Sequence, residues 1–220
     1  VTAIPPEAPR DCPLCPRLVA FREACAEEEP SWFNGAVPSF APVGGDDAVR
    51  LLIVGLAPGK TGANRTGRPF TGDWAGDLLY SSLLKAGLAR GTYDKRPDDG
   101  LELVGTMITN AVRCVPPENK PVGAEVNNCR PFLRSRILSL PNLETILCLG
   151  KISHDAVLRS FGERVAGKPF GHDTDYQIDV DSRTVRLRSS YHCSRYNTST
   201  KRLTEAMFDE VIGKCAEDCA

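Results

Sequence analysis

The stretch GLAPGKTGANRTGRPFTGD runs from Gly55 to Asp73 between two segments of opposite character. Before it, Val49-Arg50-Leu51-Leu52-Ile53-Val54 is a short apolar run of the kind that forms a buried strand. After it, Ala75 to Leu88 has the spacing of an amphipathic helix. In an open α/β sheet, a loop that joins strand to helix at the strand's carboxyl end is where ligands bind. Its glycines are free to adopt positive φ and leave backbone N–H groups available to an anion. No acidic residue lies between Ala48 and Gly72, whereas Arg50, Lys60, Arg65 and Arg68 do. The loop predicts a phosphorylated ligand without saying which.

The same alternation continues along the chain. Strands are expected at Val49–Gly55, Leu103–Asn110, Glu144–Gly150 and Thr184–Ser190. Helices are expected at Pro16–Glu28, Ala75–Leu88, Gly123–Leu138, Lys151–Phe161 and Ser199–Ile212. Strands alternating with helices predict an α/β fold, three layers α/β/α around a central four-stranded parallel sheet. Nothing in the chain parts two domains, so residues 1–220 are expected to form one: an N-terminal arm 1–47, an α/β core 48–213 and a tail 214–220. The loops after Gly55, Asn110, Gly150 and Tyr191 should then emerge at one edge of the sheet and share a site.

Composition narrows the function classes. A net charge of −1 over 220 residues gives no global attraction to nucleic acid, so a basic face must be local. Arg183, Arg186, Arg188, Arg195, Lys201 and Arg202 form one acid-free stretch that is either such a face or ordinary solvated surface. No window has the 18 or so apolar residues of a membrane helix, and the start carries no secretory pattern. A cytoplasmic protein is the expectation.

Nine cysteines, an odd number without an export signal, argue against a disulfide framework. Cys12 and Cys15 form a C-x2-C, and fourteen residues separate Cys114 from Cys129. Four thiolates suit a [4Fe–4S] cluster or a structural zinc; four buried thiols without metal are the plain alternative. Spacing does not choose among them. Cys215 and Cys219, a C-x3-C, read as frayed-tail cysteines, with a second metal site as the alternative.

Gly55 to Thr61 imitates a Walker A loop but is one residue short. A P-loop also needs a helix starting at its Lys-Thr, and Gly62, Gly67 and Pro69 oppose one. An NTPase is therefore the weakest of the function readings.

Three further segments fall into order with this loop: Cys12-Pro-Leu-Cys15, Asn110-Ala-Val-Arg-Cys114 with Cys129, and Tyr191-His192-Cys193-Ser194-Arg195-Tyr196-Asn197. Together with Gly55–Asp73 they resemble family 5, the iron–sulfur type-b branch, of the uracil-DNA glycosylase superfamily. The last segment matches that family's H-x-S-x-x-N pattern, and the resemblance spans about Cys12 to Val211.

The resemblance implies a DNA glycosylase; no lysine sits where a Schiff base is implied, so a monofunctional enzyme is expected, and a monomer. It would hydrolyse the N-glycosidic bond of uracil, and of other deaminated bases, to leave an abasic site and begin base excision repair. It also implies a [4Fe–4S] cluster on Cys12, Cys15, Cys114 and Cys129 that ties the arm to the core. Such an enzyme flips the base into a pocket, where a ring stacks on it and polar groups read its edge. Phe70 is the candidate ring, with a core aromatic as the alternative. Asn110, whose amide offers a donor and an acceptor, is the candidate reader, with a turn cap as the alternative. His192 would donate to the uracil O2 as charge develops there, or be merely structural. Asp73 would position or activate water, or cap a helix, or both. Gly55, Leu56, Ala57, Ser194 and Asn197 are expected around the base, and Arg65, Arg68 and Arg195 on the DNA backbone. Leu56 and Ala57 can neither activate nor orient water. A non-catalytic nucleic-acid-binding module on the same fold is the competing class.

Overall fold

The computed structural model describes residues 4–219. The arm helix α1, Pro16–Glu28, starts with proline in its first turn, where a missing N–H costs nothing. The core alternates: β1 Leu51–Gly55, the one-turn α2 Ala63–Thr66, α3 Trp74–Lys85, a small antiparallel ribbon of β2 Ala89–Arg90 with β3 Glu102–Leu103, and β4 Thr106–Asn110. There follow α4 Gly123–Leu138, β5 Thr145–Leu149, α5 Lys151–Ser160, β6 Thr174–Val180, β7 Arg183–Ser190, α6 Arg195–Ser199 and α7 Glu205–Asp218.

The sheet order is β4-β1-β5-β7-β6. Every residue of β1, β4 and β5 is buried, as expected of parallel strands covered on both faces. Successive residues of β1 point to opposite sides. Leu51 and Ile53 join Leu79 and Leu83 of α3 with Phe208, Val211 and Ile212 of α7. Leu52 and Val54 join Leu133 and Ile137 of α4 with Val157 and Leu158 of α5. Two apolar layers therefore sandwich the sheet, giving the three-layer α/β fold expected.

Four details differ from expectation. The sheet has five strands, not four, because β6 pairs antiparallel with β7 and forms the edge. A two-residue turn at Asp181-Ser182 joins them, with Asp181 at φ 53°. The strand expected over Leu103–Asn110 is interrupted at Gly105, whose φ of 58° turns its carbonyl to accept both Arg50 N–H and Leu51 N–H. The helix expected over Ser199–Ile212 is two helices, broken at Lys201 (φ 58°) and restarted by Thr204, whose Oγ1 accepts from Met207 N–H at 3.2 Å. Finally, α7 runs on through Asp218, so Cys215 is a core residue against α3 and β7 rather than part of a frayed tail. Ala220 lies outside the described residues.

The arm is held by part-buried polar contacts. Fully buried Arg113 donates to Glu7 at 3.0 Å and to Ser39 Oγ at 3.0 Å. Arg136 donates to the other Glu7 oxygen at 2.7 Å and to Asp46 at 2.8 Å. Arg17 grips Glu125 through two bonds of 2.7 and 2.9 Å. Phe40 adds a single antiparallel bridge to Ile108, covering the β4 edge. Among the described residues, no helix is long and apolar enough to cross a membrane.

Candidate active site

Parallel pairing sets Gly55 opposite Asn110 and Leu149 opposite Ser190, so the strand ends meet at one edge. There a cleft of about 450 Å³ is lined by Leu56, Ala57, Phe70, Asp73, Asn110 and His192, with Ser194 and Arg195. Three of the four expected loops build it. The fourth, after β5, contributes no lining residue; its Gly150 packs behind His192, where an added Cβ would lie 3.7 Å from His192 Cβ.

Phe70 sits at φ 54°, a region that costs a bulky L-residue free energy, and the neighbouring tyrosines hold it there. Tyr80 Oη donates to Pro69 O at 2.5 Å, and Tyr93 Oη donates to Phe70 O and accepts from Gly72 N–H, both at 3.3 Å. The result is a ring facing His192, with centroids 5.8 Å apart and planes within 28°.

Asn110 ends β4 almost fully buried and lines the cleft, and its amide has no hydrogen-bond partner among the described residues. Gly55 lies beneath rather than on the wall. A Cβ there would come within 2.4 Å of Asn110 Oδ1 and 2.6 Å of Phe70 Cζ. Gly55→Ala must therefore displace the ring or the amide. A shift near 1 Å at such groups costs about a hundredfold in rate, and that loss in kcat/KM is the expected result. Native activity in this variant would mean the two side chains do not act together.

Asp73 caps α3. Its Oδ1 accepts from Gly76 N–H at 3.0 Å, while Oδ2 faces the Gly59–Gly62 turn, where a Cβ on Gly62 would be 2.5 Å away. Burial raises its pKa, partly opposed by the Gly76 N–H. His192 keeps some surface toward the cleft but is packed on all other sides, and burial lowers its pKa to about 4. Its ring is therefore neutral at physiological pH. Asn197 stands behind the cleft and holds the His192 carbonyl through its Nδ2 at 2.8 Å, so it braces the histidine instead of lining the base site. Ser194 lines the cleft while capping α6.

The basic residues sort differently from expectation. Arg68 is buried beneath the Phe70 turn, its guanidinium bonded twice to Asp99 at 2.8 and 2.9 Å and lying over the Phe40, Tyr80 and Tyr93 rings. It is a brace for that turn and not a DNA contact. Burial would raise the Asp99 pKa, but Arg68 and the Asp94 and Leu101 N–H groups outweigh it and hold the carboxyl at about 2. Its contribution to stability is present above the ordinary carboxylate range and lost as pH falls through about 2. Arg68→Met leaves Asp99 buried without a counter-charge, an expected loss of about 3–5 kcal/mol in chemical denaturation, with no change in the salt dependence of DNA binding. A shallower salt slope would restore the backbone-contact role.

Arg65 donates to Thr61 O at 2.8 Å and lines a separate groove with Trp32 and Phe33. Arg186 and Arg188 pair with Asp218, and Arg183 donates to Pro141 O. Of the cations expected on DNA, Arg195 alone borders the cleft; Lys60 joins it there, paired with Glu28.

Two wall residues escaped the sequence reading. Trp74 and Asn119 both line the cleft. Glu118 and Asn119 stand successively at φ 55° and 57° after Pro116-Pro117, which turns Asn119 back toward Gly59. That Pro-Pro-Glu-Asn turn, downstream of Asn110, was the available signal.

Cys12, Cys15, Cys114 and Cys129 line one small cavity with Leu18, Val112 and Phe132. Three of the sulfurs receive N–H groups: Arg113 N–H to Cys129 at 3.3 Å, Arg22 Nη1 to Cys114 at 3.4 Å and Asn128 Nδ2 to Cys15 at 3.6 Å. Such donors suit thiolates. Among the described residues, no group of three or more His, Cys, Asp or Glu side chains already stands placed to hold a metal.

With the geometry in place, comparison with known proteins assigns the class. A family model described as the uracil DNA glycosylase superfamily matches residues 42–215, and the chain belongs to that superfamily, in its type-5 branch. It is 44% identical over 207 residues to the type-5 uracil-DNA glycosylase of Thermus thermophilus, covering 91% of this chain and 90% of that one. The type-5 enzyme of Pyrobaculum aerophilum is 37% identical, covering 94% and 89%. The type-4 enzyme of the same organism is 33% identical but over only 69% of each chain.

Proposed function

We propose that this chain is a monofunctional glycosylase that hydrolyses the bond between uracil and deoxyribose in DNA and leaves an abasic site. The observation that carries it is the unpartnered Asn110 amide, set at the end of a buried strand beside the Phe70 ring and the His192 imidazole. A uracil edge presents a carbonyl acceptor beside an N3–H donor, which one amide satisfies at once. The ring supplies the stacking face that a flipped base loses.

The chemistry follows from the three remaining groups. As the glycosidic bond lengthens, negative charge collects on uracil O2, and a neutral His192 stabilises it by donating a hydrogen bond rather than by carrying charge. The free Asp73 Oδ2 is available to orient water toward C1′, and the Asn119 amide lies on the same side of the Gly59 turn. Leu56 and Ala57 add only shape, which suits a pocket admitting other deaminated bases as well. Lys60 borders the cleft but is held in an ion pair with Glu28, which supports the monofunctional reading.

The four cysteines are proposed to hold a [4Fe–4S] cluster that joins the arm, through Cys12 and Cys15, to the β4–α4 segment, through Cys114 and Cys129. When bound it would add structural cross-linking; no catalytic step runs through it. The four thiols around one cavity and the N–H donors at three sulfurs support this. Purified protein with broad absorbance near 400 nm and about four irons per chain is the expected result; colourless protein containing zinc would replace the cluster with that metal.

We further propose a single domain acting as a cytoplasmic monomer. The deciding experiment is incubation with a uracil-containing oligonucleotide followed by alkaline cleavage. Strand breaks only after alkali, with no borohydride-trapped adduct, are expected. Binding without breaks in either single- or double-stranded DNA would leave a binding module instead.

A further inference from the structure

Beside the base cleft lies a second, more open groove of about 620 Å³, formed between α3 and the α6–α7 connection. Trp74 borders both. Its indole is 52% exposed, unusual for so large an apolar ring, and it is held in orientation by Nε1 donating to Thr198 Oγ1 at 3.0 Å. The Arg195 guanidinium lies 5.5 Å from the ring centre. An exposed aromatic ring fixed in place, with a cation over it, has the make-up of a platform for a nucleobase.

The groove's charges agree. Its acids, Asp77 and Glu205, are each matched by a lysine, Lys95 at 2.9 Å and Lys85 respectively. Lys201 lines the same groove and, like Arg195, is in no ion pair among the described residues. With the acids neutralised, Arg195 over the indole and Lys201 in the same groove are left as cations for the phosphodiesters beside a stacked base. Leu78 and Leu203 supply an apolar floor.

We propose that Trp74, with Arg195 and Lys201, is a second subsite in which a nucleotide adjacent to the excised one in the same DNA strand stacks. The inference rests on the reading that the first cleft takes a flipped base. Trp74 borders both sites, so a neighbouring nucleotide of a strand that delivers its base to the first is within reach of the second.

The test measures binding of DNA whose central nucleotide is already abasic, so no catalysis is required. The same strand is then made with an additional abasic spacer on the 5′ or the 3′ side. Native protein should lose about tenfold in affinity for one of the two spacers. Trp74→Ala should lose the same factor for the original strand and nothing more for the spacer strand. Independent, multiplying losses would overturn the subsite. In a Trp32→Phe variant, Trp74 is the remaining indole, and its fluorescence should be quenched on binding; no change would also overturn it. Lys201→Asn, chosen because asparagine tolerates the left-handed backbone there, should make the salt dependence of log Kd shallower by about one unit. If native protein binds none of these strands, the fault lies with the first cleft's assignment. If it binds and shows the Trp74 coupling but cuts no uracil, only the catalytic assignment fails.

Discussion

His192→Ala should lower single-turnover excision of uracil by about 10²–10³-fold, the cost of removing one donor aimed at a developing oxyanion. Affinity for the DNA should change far less, because Phe70 and Asn110 still take the base and the strand contacts remain. The pH dependence separates a neutral donor from a charged one. Burial places the His192 pKa at about 4, so the native rate should show no loss attributable to this residue between pH 5 and 8. An imidazolium mechanism would instead weaken as pH rises through the ordinary histidine range. The linked effect on stability has the opposite dependence. A histidine whose folded pKa lies below its unfolded value binds fewer protons when folded, so stability falls as pH drops from about 6.5 toward 4. His192→Ala should flatten that part of the stability profile. A variant with native excision rates would remove His192 from the chemistry.

What made the site readable was burial. Strands β1, β4 and β5 are covered on both faces, so each is a continuous apolar run, and a polar residue at its end marks the sheet edge. Asn110 and the Gly55 loop stood out for that reason. The β6 strand lacks this signature because it is an exposed edge: Asp175 and Asp179 alternate with Tyr176 and Ile178, and the run resembles a polar loop. Charge along the chain was the least informative signal. Arg68 finds Asp99, 31 residues away, and Arg188 finds Asp218, 30 residues away. A cation count in sequence cannot show which side chains the fold has already neutralised. The same limit hid the reverse case, Arg195 and Lys201 near Trp74, neither paired with an acid among the described residues. Phe70 was legible as a ring in a polar loop, but its positive φ depends on Tyr80 and Tyr93, which sequence patterns do not bring near it.

Asp73→Asn should reduce turnover by about 10²–10⁴-fold, the range that a positioned acid–base group contributes, without lowering the melting temperature. Capping and water handling are carried by different oxygens of one carboxylate. Oδ1 receives the Gly76 N–H, and an asparagine carbonyl accepts that bond equally well. Oδ2 faces the Gly59–Gly62 turn at the border of the cleft, and an amide there cannot serve as a base. Burial raises the carboxyl pKa, so the ionised form carries a desolvation penalty that the amide avoids. The variant should therefore be at least as stable as the native protein near neutral pH. Asp73→Ala gives the contrast: it loses the chemistry and about 1 kcal/mol of helix capping as well. The native rate should fall on the acid side at a pH above the usual carboxylate range, and that limb should vanish in Asp73→Asn. Full activity in the asparagine variant would leave Asp73 as a cap alone. Leaving-group stabilisation by His192 would then account for most of the acceleration, with water arriving unassisted past Leu56 and Ala57.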